Sequence, residues 1–432
     1  MNTNTKTNCL VPVTDFFQLK EKVLHWVNRY STFCFLDNQQ YNIAPHKMEC
    51  LIGAGVRQFV KASAGENALA QLSTMVNDAR KSSSWLFGHL GYDLKNEIEN
   101  LTTSNPDETG FDDLYFFIPE VVIRINEDEL WIEAANAFEI ASEIESIELK
   151  SSNFSNAVTF TGRLTKEAYI QKITLFKQHI LRGDCYEINF CQEFFASNVA
   201  ISPIQVFQKL SAISPNPFAA LYKYDNKWLI CASPERFLTK QGSKIFSQPI
   251  KGTSKRDMVY AANDVANKDW LRNSSKDQSE NVMVVDLVRN DLSKICEEGS
   301  VMVDELFGIY SFPQVHQMIS TVSGTLKRDI EFIEIIKACF PMGSMTGAPK
   351  KKVMELIEKY ETRKRGIFSG ALGYINPSGD FDFNVVIRSI MYNEASGYLS
   401  YQVGSGITHY SNAVAEWDEC MMKAEAIKKV FQ

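Results

Sequence analysis

No two cysteines in this chain stand at CxxC spacing, and no HExxH occurs. The nine cysteines (9, 34, 50, 185, 191, 231, 296, 339 and 420) are scattered and odd in number. That argues against both a zinc site and a disulfide framework. The six histidines are equally dispersed. No run approaches the roughly 18 apolar residues expected of a spanning helix. The opening "MNTNTKTNCLVPVTDFF" is polar and lacks the apolar core of a signal peptide. An excess of basic residues is missing too: the net charge is −7. That argues against a general affinity for nucleic acid or anionic membranes, so any anionic ligand must be met by a local basic site. The expectation is a cytoplasmic protein with reduced thiols.

What is there is ordinary globular material. The 432 residues, 45% hydrophobic and 22% charged, suffice for two domains or one large composite one. Thr14 or Asp15 can cap a helix running to Tyr30, with Phe16, Leu19, Val23 and Val27 on one face. "LYFFIPEVVIRI" predicts two strands broken near Pro119. The polar stretch from Leu149 to Arg163 predicts a linker, which places a boundary between residues 1–155 and 156–432. Beyond it, "LICASPERFL" and "KIFSQPI" predict neighbouring strands, and "DFNVVIRSIMY" with "GYLSYQVG" another pair. Helices are predicted at Lys276–Leu292, Ile330–Phe340, Pro349–Tyr360 and Ala413–Phe431. Strand pairs outnumber clean βαβ units, which favours an α+β fold of mainly antiparallel sheets over a doubly wound one.

Several residues can carry chemistry. Glu416 and Glu419 share a helix face, set apart from an apolar face of Val414, Trp417, Met421 and Ala424; Glu280 opens another helical run. Carboxylates from separate helices can converge on Mg²⁺, or can simply be solvated. "FPMGSMTGAPKKK" fails the Walker pattern, yet a helix start there can meet a carboxylate. "VGSGI" allows close backbone approach to a ligand, or is a plain turn. Arg388, inside "NVVIRSI", either pairs with a buried acid or offers its fork to a ligand carboxylate. Lys251 stands in "QPIKGTSKR", either a solvated turn lysine or one held in a pocket.

Eight stretches, in order, are "FGHLGYDL", "RGDCYEINFCQEF", "ASPERF", "QPIKGTSKR", "KDQSENVMVVDLVRNDL", "FPMGSMTGAPKKKVMELI", "FSGALGYINPSGDFDFNVVIRS" and "EWDECMMKAEAI". Together they resemble the chorismate-utilising enzymes, most of all the aminodeoxychorismate synthase branch. The resemblance covers nearly all of Gly162–Gln432 and is looser before it. It implies a large fold of packed antiparallel sheets flanked by helices, with chorismate as substrate and Mg²⁺ as cofactor. By motif position, Glu280 and Glu419 look like metal-binding acids, with Glu416 as a water-mediated partner. Gly252, Thr253, Arg388, Gly404, Ser405 and Gly406 fall where the family contacts substrate. Glu235 and His316 fall at acid/base positions.

Within the family, anthranilate synthases read "PIAGT" where this chain reads "PIKGT". The resemblance implies that Lys251 attacks C2 of chorismate as the C4 hydroxyl leaves, and that ammonia then displaces it at C4. A lysine of ordinary pKa, about 10.4, must first lose a proton. Burial near Mg²⁺ and Arg388 is expected to ease that loss in the substrate complex, with Glu235 opposing. Three departures accompany the match. Glu187 replaces the glutamine usual in this branch, Phe368 stands where some relatives have tyrosine, and Asn38 replaces the serine of a tryptophan-binding motif. No amidotransferase nucleophile elbow is recognisable, so a separate glutamine amidotransferase subunit is expected to supply the ammonia.

Overall fold

The computed structural model describes residues 7–41, 49–149, 157–313 and 315–432. Two antiparallel sheets organise them, one of 12 strands and one of 10. The strands are short and apolar, and several hydrophobic runs turn out to serve both sheets in succession. "LYFFIPEVVIRI" supplies Leu114–Ile118 to the smaller sheet and Val121–Ile125 to the larger, breaking at Pro119 as expected. "LICASPERFL" does the same, with Lys227–Ser233 in the larger sheet and Arg236–Gln241 in the smaller. "NVVIRSI" divides into Phe381–Val385 and Ser389–Asn393, again one strand for each sheet. Arg388 therefore lies in a crossing between sheets, not inside a strand. Its φ of +50° is a left-handed conformation that side-chain-bearing residues adopt rarely.

The larger sheet is covered on both faces. Phe33 and Phe35 join an outer core with the helix Phe16–Val27, whereas Cys34 between them joins the core between the sheets. The two-residue period of a strand produces that division, and burial on both faces removes the polar positions that would mark an outward one. Asp15 caps the first helix by accepting from the Gln18 N–H at 2.9 Å. The helix expected at Lys276–Leu292 spans Ser275–Ile295. The one expected at Ala413–Phe431 is broken at Ala424 into Ala413–Lys423 and Glu425–Val430.

That C-terminal helix also presents a different face from the one its apolar residues suggest. Glu416 is 1% exposed and Val414 is 47% exposed. Residues 150–156, where the domain boundary falls, lie outside the described residues. On either side of them the chain contributes strands to both sheets.

Candidate active site

A cavity of about 520 Å³ is lined by residues from both sheets and from the helices beside them. Lys251 enters it from Ile250–Lys255, the edge strand of the smaller sheet. Its Nζ donates to Glu187 Oε1 at 2.6 Å. Glu187 begins Glu187–Ala196 in the larger sheet, so this ion pair spans the two layers. Both residues are buried, at 8% and 2% exposure. The opposing backbone leaves room for them at Gly406, where a Cβ would meet Lys251 Nζ at 2.8 Å and Glu187 Oε1 at 2.9 Å. Gly252, next to the lysine, has φ +91°, a conformation glycine adopts without strain.

Glu235 sits where the chain crosses from the larger sheet to the smaller and is 4% exposed. The Ser344 hydroxyl donates to its Oε1 at 2.6 Å. Burial pushes its carboxyl up to about 7, against the opposing pull of Ser344, Lys251 and Arg388. Arg388 faces the same cavity from the second crossing. Burial pulls its guanidinium down to about 10, and Glu235 resists that fall. For Lys251, burial also works against the charge, but Glu187, Glu280 and Glu235 together outweigh it and its pKa is raised. The depressed amine is expected of the substrate complex; in the chain by itself the amine is held charged. Neighbouring carboxylates win over desolvation.

Three acids converge beside the lysine. Lys276 Nζ lies 3.7 Å from Glu280, 3.1 Å from Glu416 and 3.9 Å from Glu419. Glu280 Oε1 and Glu416 Oε2 are buried without a hydrogen-bond partner. Burial raises the Glu280 carboxyl to about 7, with Lys251 opposing and Glu187 adding to the rise. Glu419 goes the other way. Burial would raise its carboxyl, but Lys423 at 2.7 Å and Lys276 bring it below the ordinary value. An all-carboxylate set already gathered around one ammonium, with unused oxygens, suits a hard divalent cation such as Mg²⁺. A tighter trio exists elsewhere. Asp37, Glu49 and Cys50 offer ligand atoms within 4.8 Å of one another. There Lys20 Nζ is already the cation, 2.7 Å from Asp37 and 3.2 Å from Glu49.

The other residues singled out in the sequence divide by strand alternation. Thr253, Gly404 and Gly406 line the cavity, as does Gly252. Ser405 points to the opposite face, its hydroxyl 3.3 Å from that of Tyr169. His316 is turned away as well. Its Nδ1 meets Ser311 Oγ at 2.8 Å and its Nε2 meets Asp264 Oδ1 at 3.1 Å. On that strand the cavity is lined by Gln317, whose Oε1 is buried without a partner. Glu416 reaches the site through Lys276 and not through the cavity wall.

The comparisons with known proteins now bear on this arrangement. The profile of the chorismate binding enzyme family matches residues 26–429. The chain belongs to the chorismate binding enzyme family. It is 34% identical over 353 residues to a Synechocystis anthranilate synthase component I-like protein, covering 79% of this chain and 71% of that one. It is 31% identical to aminodeoxychorismate synthase component 1 of Escherichia coli over 351 residues, 80% of this chain and 76% of that one. Aminodeoxychorismate synthase component 1 of Klebsiella aerogenes is also 31% identical, over 344 residues that make up 79% and 75% of the two chains. Anthranilate synthase component I from Streptococcus pneumoniae shares the fold, with a TM-score of 0.78 at 22% identity over 90% of this chain and 93% of that one.

As a member of the chorismate binding family, the chain carries site residues that motif reading did not single out. Ser344 stood unremarked in the glycine-rich "PMGSMTG", although a hydroxyl beside two glycines is a candidate donor. Lys423 falls four residues after Glu419, the spacing that puts them on one helix face. Gln317 is missed because its neighbour His316 draws attention as the more familiar acid/base side chain. Phe368, buried in the cavity wall, offers no hydroxyl there. Among the described residues no helix is long and apolar enough to cross a membrane.

Proposed function

We propose that the chain is component I of an aminodeoxychorismate synthase, acting on chorismate and ammonia supplied by a separate glutamine amidotransferase subunit. The observation that carries this reading is the Lys251 amine, held inside the cavity by one acid and sharing that cavity with a second of different character. Glu187 touches it, and Glu235, with a carboxyl near pH 7, faces the same space. Relatives bearing the same "component 1" description support the reading.

Chorismate is a dianion entering an acidic protein, so its carboxylates need local positive charge. Arg388 supplies a guanidinium. Glu280 and Glu419, with Glu416 behind Lys276, would hold Mg²⁺, which supplies charge compensation and Lewis-acid polarisation when bound. Hydroxide is a poor leaving group, and Glu235 is the group to protonate it, since burial holds its carboxyl up to about 7. The neutral Lys251 amine forms a bond to C2, both ring double bonds shift, and the C4–O bond breaks, with the Glu235 proton, to release water. Ammonia then forms the C4–N bond and gives up a proton to Glu235, both double bonds shift back, and the lysine amine departs. The product, 4-amino-4-deoxychorismate, is the precursor chemistry expects for 4-aminobenzoate and folate.

The test is product identity. Chorismate, Mg²⁺ and ammonia should yield the C4-aminated product, detected by mass and by the absence of anthranilate fluorescence. Free anthranilate as the main product would assign the chain to C2 amination instead. Ligand binding without turnover would leave it a binding or regulatory subunit. The Lys251→Ala variant should lose C4 amination, and glutamine should serve as nitrogen source only with the amidotransferase present.

A further inference from the structure

The mechanism above needs Lys251 without its proton, yet the surrounding acids hold that proton on. Among the described residues, Glu187 is the one carboxylate within ion-pair distance of the lysine, at 2.6 Å. It is held more sparely than two other buried carboxylates, though no more sparely than Glu416. Glu361 accepts two bonds from Arg365 and one from the Cys191 N–H. Asp382 accepts two from Arg236. Glu187 accepts from Lys251 through Oε1, while its Oε2 is buried without a partner. No further donor network fixes its charge, so moving the proton from nitrogen to oxygen discharges both groups and leaves the same contact between them. A buried polar pair with nothing else attached is well placed to make that exchange.

We propose that Glu187 is the base that takes the Lys251 proton before the amine attacks C2 and returns it when the amine leaves C4. In the first half, the ammonium and carboxylate become an amine and a carboxylic acid, and the freed lone pair forms the C–N bond. In the second half, that bond's electrons return to nitrogen as ammonia adds, and the Glu187 proton restores the ammonium. Over the cycle the pair neither gains nor loses a proton. This inference rests on the lysine reading given above.

The arrangement has a consequence that separates it from a merely structural ion pair. Both forms of the pair carry one proton, so the supply of neutral amine does not change with bulk pH while the pair keeps that proton. Without Glu187 the proton must go to solvent. The neutral fraction then rises about tenfold per pH unit until the lysine's own pKa is reached. Glu235 and Glu280 on neighbouring elements, Arg388 on the crossing, and Glu419 and Lys423 on the C-terminal helix also act on the lysine's surroundings. All but Glu280, whose carboxyl Glu187 itself helps to raise, are common to wild type and variant, so a ratio of rates cancels them to first order.

The experiment uses the full chain with chorismate and Mg²⁺ but no ammonia. Single-turnover formation of the Lys251 adduct is followed by intact-protein mass spectrometry between about pH 5.5 and 7.5, a window below the ordinary lysine pKa. The ratio of Glu187→Gln to wild-type rates should climb about tenfold per pH unit. Glu187→Asp, which keeps a carboxylate, should give a slower reaction with a flat ratio. A flat ratio for Glu187→Gln, with adduct forming, would overturn this inference alone. If wild type forms no adduct on Lys251, the lysine mechanism falls and this inference falls with it.

Discussion

Replacing Glu235 with glutamine should make the protein more stable in alkali and nearly inactive. In the folded chain burial holds the carboxyl at about 7, against an ordinary 4.5. The native state therefore keeps a proton that the unfolded state releases. Stability falls as pH rises through that interval, is unaffected below 4.5, and carries the whole penalty above about 7. At about 1.4 kcal/mol per pH unit, the interval corresponds to about 3 kcal/mol. Glutamine has no charge to desolvate, and its carbonyl can still accept from Ser344. The difference in unfolding free energy, variant minus wild type, should thus grow by about 2.5 kcal/mol between about pH 5 and pH 8. Urea unfolding of both proteins at the two pH values measures it. Glu280 adds a similar slope of its own, but to both proteins alike. Turnover should fall by about 10² to 10⁴, the range for losing a general acid. Parallel stability curves would refute the raised carboxyl, and a fully active variant would refute its role.

Two further substitutions test the frame around the site. Asp382→Asn breaks a doubly bonded pair, 3.0 Å on each side, and leaves the guanidinium of Arg236, itself 1% exposed, short of its charge partner. A loss of about 3–5 kcal/mol in chemical unfolding is expected, and a loss under about 1 would show that the pair is not holding the strands together. Lys20→Met removes the ammonium from between Asp37 and Glu49. The stability loss should be of similar size near neutral pH, about 3 kcal/mol, and should shrink in acid as Glu49, whose carboxyl burial holds above its ordinary value, takes up a proton. A loss independent of pH would point to packing instead.

The α+β class and several strands and helices were legible because the chain alternates short apolar runs with turn residues; that the strands pack as sheets flanked by helices came from the family resemblance. The helix capped at Asp15 and the strand break at Pro119 both occur as expected. What the runs did not disclose is that a break can change sheets. "NVVIRSI" looks like one strand because every residue but the arginine is compatible with a strand, and only the positive φ of Arg388 reveals the crossing. The same limit applies to direction. Motif position brought Lys251, Glu235, Glu280 and Arg388 together, but it could not decide that Gln317 faces the cavity and His316 faces Ser311 and Asp264. That outcome depends on strand register, which is set by the partner strand. Glu416 shows the converse. Its helix buries an acid and exposes Val414, because the charge has Lys276 to meet.

The Lys251–Glu187 contact joins the two layers of the fold at the cavity. A gap of one hydrogen bond between groups hung from different sheets acts as a caliper on the angle between those sheets. A change in packing that alters that angle therefore alters how close the amine sits to its acid.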